Sequence, residues 1–452
     1  MNRRLFVGAA LSAAAAVPQR KPATSTSLVG RILQGLEALD TIDTHEHIIP
    51  ESERVAAQVD FFTLASHYLL DDVTSAGLPR ASRALIEKAE TPEAEKWRLF
   101  EPYWKYARFT GYGEALQIAM RDIYAIADIS ASTLPKMNRA IAERNRMGLY
   151  KFVLKDRARI RYCMNDDYWN AVPVRPDPTY FRYAHKFDRF AAPITPAGLQ
   201  RLEKASGVSI TSLPGLKKAM ETSFEQALAV GMIAVKSTMA YERNLRFEEV
   251  SEADAARTFD SLISGRVKAP PEGFERQQNR PFRQMEDHMY HYLIGLVREH
   301  KLPMQIHTGL HAGNGNFIQN SNPADLTNIL FLYPDVQFDL FHIGYPYQGE
   351  ISVLGKLFPN VNVDFCWMHI VSPYAARQAL HTMLDMVPAN KIFGFGGDYR
   401  YPELSYAHLV MARRNIAQVL AERVEARNVT ETEAAEVGRW MLVDNPARLY
   451  GS

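Results

Sequence analysis

Cysteine is almost missing from this sequence. Cys163 and Cys366 are the only two in 452 residues, and neither sits in a CxxC. That excludes a disulfide scaffold and a cysteine-rich zinc module. The two lie far apart, each near the end of an expected strand, so no disulfide between them is expected. An excess of charge of either sign is also missing: 52 Lys and Arg against 51 Asp and Glu leave a formal net charge of +1. With no basic stripe interleaved with aromatics, no nucleic-acid partner is expected. There is no GxSxG elbow, which removes serine-hydrolase chemistry. There is no P-loop and no dinucleotide fingerprint, since "GFGGDY" lacks the final glycine of GxGxxG.

No apolar run reaches the ~20 residues of a membrane-spanning helix. The run from Leu5 to Val17 follows Arg3 and Arg4 and leads into small residues, the pattern of an export signal. The arginine pair before Leu5-Phe6-Val7 resembles a twin-arginine signal. Residues 1–27 are therefore expected to be a signal peptide and linker, with the protein exported to the periplasm and no other membrane association.

Short apolar strands alternate with helical patterns along the rest of the chain. "LVGRILQGLEALD" carries apolar residues three and four apart, a helix, and Thr41 to Thr44 follows as a first strand. From about 50 to 154 the reading is helical and rich in aromatics, for instance "EKWRLFEPYWKYARFTGYGEALQIAMRDIYAI". This block is expected as a large insertion after strand 1. Ala158 to Asn165 and Thr179 to Phe190 read as strands two and three. "GMIAVKST", "LPMQIHTG", "VQFDLFHIG", "NVNVDFCW" and "NKIFGFGGD" supply five more. Eight strands alternating with helices imply parallel βαβ units and an α/β fold, a (β/α)8 TIM-type barrel over residues 28–452.

Several of these strands end in chemically capable residues: His45 and His47, Lys236, His307, His342 and Asp398. The carboxyl ends of barrel strands form the active-site face. His45 and His47, two apart on a strand, present both imidazoles to one side, where they can ligate a divalent ion. His307 is a candidate third ligand, and Asp398 a candidate ligand that also accepts a proton from bound water. His342 would polarise a substrate or hold the water. Alternation turns Glu46 away from the histidines and places Asp43 on their face, deeper in the barrel. The bland readings are core histidines and, for Asp398, a helix cap. His288 and His291 fit a helix facing solvent or loops. His67 reads as core or as a lid over the pocket, and His369 as a weaker site candidate.

An N-terminal HxH, histidines after the fifth and sixth strands and an aspartate after the eighth resemble the amidohydrolase superfamily. "SHYLLDDVTSAGL", "WRLFEPYWKYARFTGY", "MQIHTGL" and "GGDYRYPELSY" are similar to segments of its uronate isomerase-like branch. The resemblance implies a divalent metal, zinc foremost and manganese or another ion as substitutes, one or two in number, held at least by His45, His47 and Asp398. The fourth strand, "IAVKSTMAYERNL", and the seventh, "CWMHIVSP", depart from the uronate isomerase pattern. There the chain looks more like amidohydrolase-related proteins, including those fused to glutamine synthetase-like domains. In some binuclear relatives a fourth-strand lysine is carbamylated. Lys236 is expected either to do that or to grip a substrate carboxylate, with the second favoured. Arg400 and Arg243 are further candidates for binding that carboxylate.

The expected function is a metal-dependent hydrolase acting on a small anionic molecule through a metal-activated water, with Asp398, His342 and Lys236 as its catalytic groups. The alternative on the same site is a uronate isomerase-like sugar-acid isomerase or a non-oxidative decarboxylase. A third reading is an exported binding protein on a decayed barrel. Whether the chain forms a homo-oligomer is left open by the sequence.

Overall fold

A computed structural model describes residues 27–166, 172–271 and 273–451. The export signal expected in the first residues lies outside them. Ser27 caps the first helix, Leu28–Glu37, by accepting from the Gly30 amide.

Eight parallel strands follow one another in sequence order: β1 (Thr41–Glu46), β2 (Ile160–Asp166), β3 (Phe181–Lys186), β4 (Met232–Ser237), β5 (Met304–Ile306), β6 (Phe338–Leu340), β7 (Val361–Asp364) and β8 (Ile392–Phe393). The last residues of β8 and those beyond it return to β1. Thr44 donates from its amide and hydroxyl to the Phe395 carbonyl, and the His47 amide donates to Tyr399. The result is a barrel. All six residues of β1 are buried, as expected for a strand covered on both faces. The barrel floor is filled by Ile42, Tyr162, Met164, Ala184, Ala234 and Phe393, with Tyr450 inserted from the helix Asn445–Tyr450.

The expected strands all exist; the first runs two residues further than expected, to Glu46, while the last four are shorter because their polar ends leave the ladder to form the rim. The third stops at Lys186, and Asp188–Ala191 turns into a short helix.

Between β1 and β2 lies the helical insertion. Its helices run from Glu51–Ala56 to Leu134–Arg144, followed by a π-helical turn, Lys151–Arg157. Its core is aromatic: Phe61, Phe62, Trp97, Phe100 and Trp104 pack with ring centroids 5.2–6.2 Å apart. Asp60 and Thr63 form a reciprocal cap on the helix Phe61–Ser66. Two features fasten the insertion to the barrel. At Gly111 a Cβ would fall 1.9 Å from the Ile370 carbonyl oxygen, so only glycine allows this approach. Arg54 reaches the helix Pro402–Glu425 in a buried pair with Glu403 at 2.8 Å, and Tyr124 donates to the same carboxylate at 2.6 Å.

A candidate metal centre at the barrel mouth

The rim brings together groups that are remote in sequence. His45 and His47 stand side by side, ring centroids 4.6 Å apart. Asp398 Oδ1 lies 3.1 Å from His47 Nε2 and 3.6 Å from His45 Nε2. Gly396 and Gly397, just before Asp398, make this possible. A Cβ on Gly397 would sit 1.8 Å from Glu46 Oε1, and one on Gly396 would sit 2.6 Å from Thr44 Oγ1. The Asp398 amide then donates to the His45 carbonyl at 2.9 Å.

A second pair lies beside the first. His307 Nδ1 and His342 Nε2 are 3.0 Å apart, and Asp398 Oδ2 is 3.8 Å from His342 Nε2. The Leu310 carbonyl lies 2.9 Å from His307 Nε2, and the Cys366 carbonyl 2.8 Å from His342 Nδ1. Carbonyls only accept, so each of these ring nitrogens carries its proton. In neutral rings the two facing nitrogens are then both lone pairs. Burial holds both rings neutral: it lowers His307 well below its ordinary value and takes His342 to about 4. Facing lone pairs next to a carboxylate are a donor set that a cation satisfies. His45, His47 and Asp398 form a second such group once His47 gives up its Nε2 proton, and the residues present fit a divalent metal.

Burial alone would raise Asp398. The hydrogen bond from His47 and the neighbouring imidazoles outweigh it and hold the carboxyl well below the carboxylate range. For His47, burial opposes the charge, but Asp166 and Asp398 lift it above its ordinary value. His45 is pushed well below by burial and by Lys236.

Lys236 ends β4 and is buried, with burial lowering its amine to about 8. Its Nζ has no hydrogen-bond partner among the described residues and lies 3.5 Å from the centre of the Phe341 ring. With His45, His47, His307 and Asp398 it lines a cavity of about 860 Å³, walled further by Lys186, Arg276, Tyr241, His67 and Tyr68. His67 and Tyr68 come from the insertion. Their rings stack at 4.0 Å, and the Tyr68 hydroxyl donates to the Asp398 carbonyl at 2.6 Å. Left-handed backbone clusters here. Of nine non-glycine residues with positive φ among the described residues, Tyr68, His342, Ile343, Trp367 and Asp398 stand around this mouth.

Two candidates stand apart. Arg243 does not reach the cavity. Its buried guanidinium pairs with Asp287 at 2.7 Å and Glu286 at 3.3 Å, and it donates to the Arg246 carbonyl at 2.6 Å. Arg400 is exposed and lines a neighbouring cavity of about 830 Å³ that shares Ser66 and His67 with the first. His288 and His291 bond the Val250 carbonyl and the Tyr333 hydroxyl, and His369 the Gly394 carbonyl, all structural roles. Both cysteines are free and buried.

Three groups escaped the sequence reading. Asp166, the last residue of β2, lies 2.9 Å from His47 Nδ1, and Lys186, the last of β3, lies 3.0 Å from Asp166. The signal was there: each is a polar end on an apolar strand, the rule that singled out Lys236. Cys366, beyond β7, forms a possible ligand group with His342 and Asp398, as Asp166 does with His45 and His47. The alternation expected in β1 also fails. Asp43 pairs with Glu46 through their carboxyls, because the register against β2 shifts between these two residues. Asp43 Oδ1 meets the His45 and Gly397 amides rather than an imidazole.

The amidohydrolase family model matches residues 253–452. Protein fluG of Emericella nidulans is 27% identical over 228 residues, 48% of this chain and 25% of that protein. A uronate isomerase of Cutibacterium acnes is 24% identical over 270 residues, 56% of this chain and 55% of that protein. The chain thus spans a quarter to about half the length of these curated relatives. Among solved structures, a uronate isomerase from Thermotoga maritima superposes with a TM-score of 0.77 at 16% identity, covering 94% of this chain and 97% of that one. A glucuronate isomerase from Caulobacter crescentus gives 0.74 at 19% identity, covering 94% and 95%. The family model covers less than half of the chain, and the solved uronate isomerases show that the chain shares their barrel fold.

Proposed function

We propose that this chain is a metal-dependent isomerase of sugar acids, converting an aldose form to a ketose form. This shifts the reading away from the hydrolysis expected from the sequence. The observation that carries it is the helical insertion. It belongs to the 94% of the chain that superposes on uronate isomerases, and it delivers His67 and Tyr68 to the cavity wall.

His45, His47 and Asp398 would hold a divalent ion, zinc or manganese, with His307 and His342 as a further pair. Such an ion supplies Lewis acidity to the substrate's carbonyl and adjacent hydroxyl oxygens. The remaining work falls to side chains. Aldose–ketose conversion moves one proton between neighbouring carbons and one between their oxygens, with no water added. Asp398, held ionised, is placed to accept a proton. Burial takes His67 to about 3, so it is neutral and can hydrogen-bond a substrate oxygen without adding charge to the cavity. Lys236 and Lys186 at the cavity floor and Arg276 at its wall give the substrate carboxylate cationic partners. The aromatic group of Tyr68, Tyr112 and Trp367 excludes water from one side.

The test incubates metal-loaded protein with hexuronic acids in heavy water and follows the products by NMR and mass. A ketose of unchanged mass apart from solvent deuterium is expected. Inertness toward hexuronic acids together with cleavage of an ester, lactone or amide into two products would return the site to hydrolysis. Export belongs to the same proposal, on the strength of the N-terminal arginine pair and apolar run. Fractionation of expressing cells tests it.

A further inference from the structure

We propose that Asp166 is a positioning residue of the metal centre: it takes the Nδ1 proton of His47 and so fixes the Nε2 lone pair toward the ion, while Lys186 keeps the carboxylate in that role. The inference rests on the metal-centre reading above.

The geometry is a relay around the rim, from β3 to β2 to β1 and across to the residues after β8. Lys186 Nζ is 3.0 Å from Asp166 Oδ2, Asp166 Oδ1 is 2.9 Å from His47 Nδ1, and His47 Nε2 is 3.1 Å from Asp398 Oδ1. Asp166 is 1% exposed, so its alignment is set by protein and not by solvent. A neutral imidazole has one N–H and one lone pair, and a carboxylate can only accept. When the ring is neutral, Asp166 takes its one proton and the nitrogen facing Asp398 presents its lone pair; without an ion, the proton that a raised His47 retains there bonds Asp398. The neutral tautomer can bind a cation shared with Asp398. The opposite tautomer would present an N–H to the same place and exclude the ion. Carboxylate partners of metal-binding histidines act in this way in general, and their loss weakens metal binding about 10–100-fold.

His45 has no such partner: its Nδ1 is without a hydrogen bond among the described residues. The pair is therefore asymmetric, and the fixed member is His47. Asp166 Oδ2 also lies 3.9 Å from His45 Nε2, close enough to compete as a ligand itself. Lys186 occupies that oxygen and opposes the competition.

Two measurements decide. Mn²⁺ and Co²⁺ affinities are determined by titration for the wild type, Asp166→Ala, the isosteric Asp166→Asn and Lys186→Met. The ring tautomer of His47 is read in the metal-free protein from ¹⁵N histidine shifts, at a pH high enough for the ring to be neutral, assigned with His47→Gln. We expect the Nδ1–H form in the wild type, loss of that preference in Asp166→Ala, and affinity about 10–100-fold weaker with the Co²⁺ absorption spectrum unchanged in shape. Lys186→Met should weaken binding less. Unchanged affinity in Asp166→Ala, or an Nε2–H form in the wild type, overturns the proposal. A changed Co²⁺ spectrum overturns it too, by making Asp166 a direct ligand. If the wild type binds no ion, the metal reading falls, and the tautomer measurement still decides the Asp166–His47 relation alone. Asp166→Asn keeps the test open if the alanine variant does not fold.

Discussion

The backbone amide of Asp398 donates to the carbonyl of His45 at 2.9 Å, so the eighth strand's acid and the first strand's imidazole are joined through their main chains. Side-chain geometry at the candidate centre is thereby set by the barrel's own hydrogen bonding. The first prediction concerns the glycine that allows this. Gly397→Ala would drive a methyl into Glu46, and should lower stability by about 1–3 kcal/mol, as overpacking does. Gly349→Ala, with open space around it, is the control. Denaturant unfolding of both variants checks the difference.

Loading with a divalent ion should raise the melting temperature. An ion that binds only the folded chain contributes about 4 kcal/mol at a free concentration 1,000 times its Kd. Thermal scans before and after chelation should show the shift. Asp398→Ala should abolish it.

Lys236→Met keeps the bulk of the side chain and removes its charge. The variant should fold, because the amine it loses bonds nothing among the described residues. Its KM for a carboxylate substrate should rise about 10–100-fold, corresponding to loss of a charge-assisted hydrogen bond of about 1.5–3 kcal/mol. A substrate with the carboxylate replaced by an uncharged group should not distinguish the variant from the wild type.

Arg243 should behave in the opposite way. Arg243→Met leaves Glu286 and Asp287 buried with one guanidinium fewer, although Arg280 still pairs with Glu286. Breaking such a buried pair costs about 3–5 kcal/mol. The unfolding midpoint should fall while kcat/KM of the folded fraction stays unchanged.

Beneath the site, Asp339 and Asp364 share a buried hydrogen bond, and the Tyr450 hydroxyl donates to Asp339. Burial raises Asp364 from 3.8 to about 7. The folded chain therefore retains a proton that the unfolded chain releases, and this contribution to stability declines as pH rises from about 4 to about 7. Asp364→Asn should gain on the wild type in unfolding free energy between pH 5 and pH 8. Asp398 and Asp166 act in the opposite sense, held below the ordinary range, so the comparison between variant and wild type isolates the Asp364 contribution.

The barrel was legible in the sequence because parallel strands buried on both faces read as apolar runs, and their polar ends mark one rim. His45, His47, Lys236, His307, His342 and Asp398 all follow from that rule. Asp166 and Lys186 obey it as well, but an Asn-Asp-Asp strand end and a lysine after "FRYAH" resemble ordinary solvated turns. Arg243 could not be placed: its partners come from the helix Arg283–Glu299, and one-dimensional spacing does not say where a long guanidinium folds back. The Asp43–Glu46 pair was hidden by a register shift, which alternation cannot anticipate.

The junction between the first and last strands has a kinetic corollary. Its hydrogen bonds join residues 351 to 354 positions apart, among the longest chain closures the molecule contains. Non-local closure of this kind comes late and slowly in folding. The two halves of the donor set, His45 and His47 from one side and Asp398 from the other, do not exist as a site until it is complete. Ion capture would then serve as a latch, retaining chains that have finished folding and passing over those that have not.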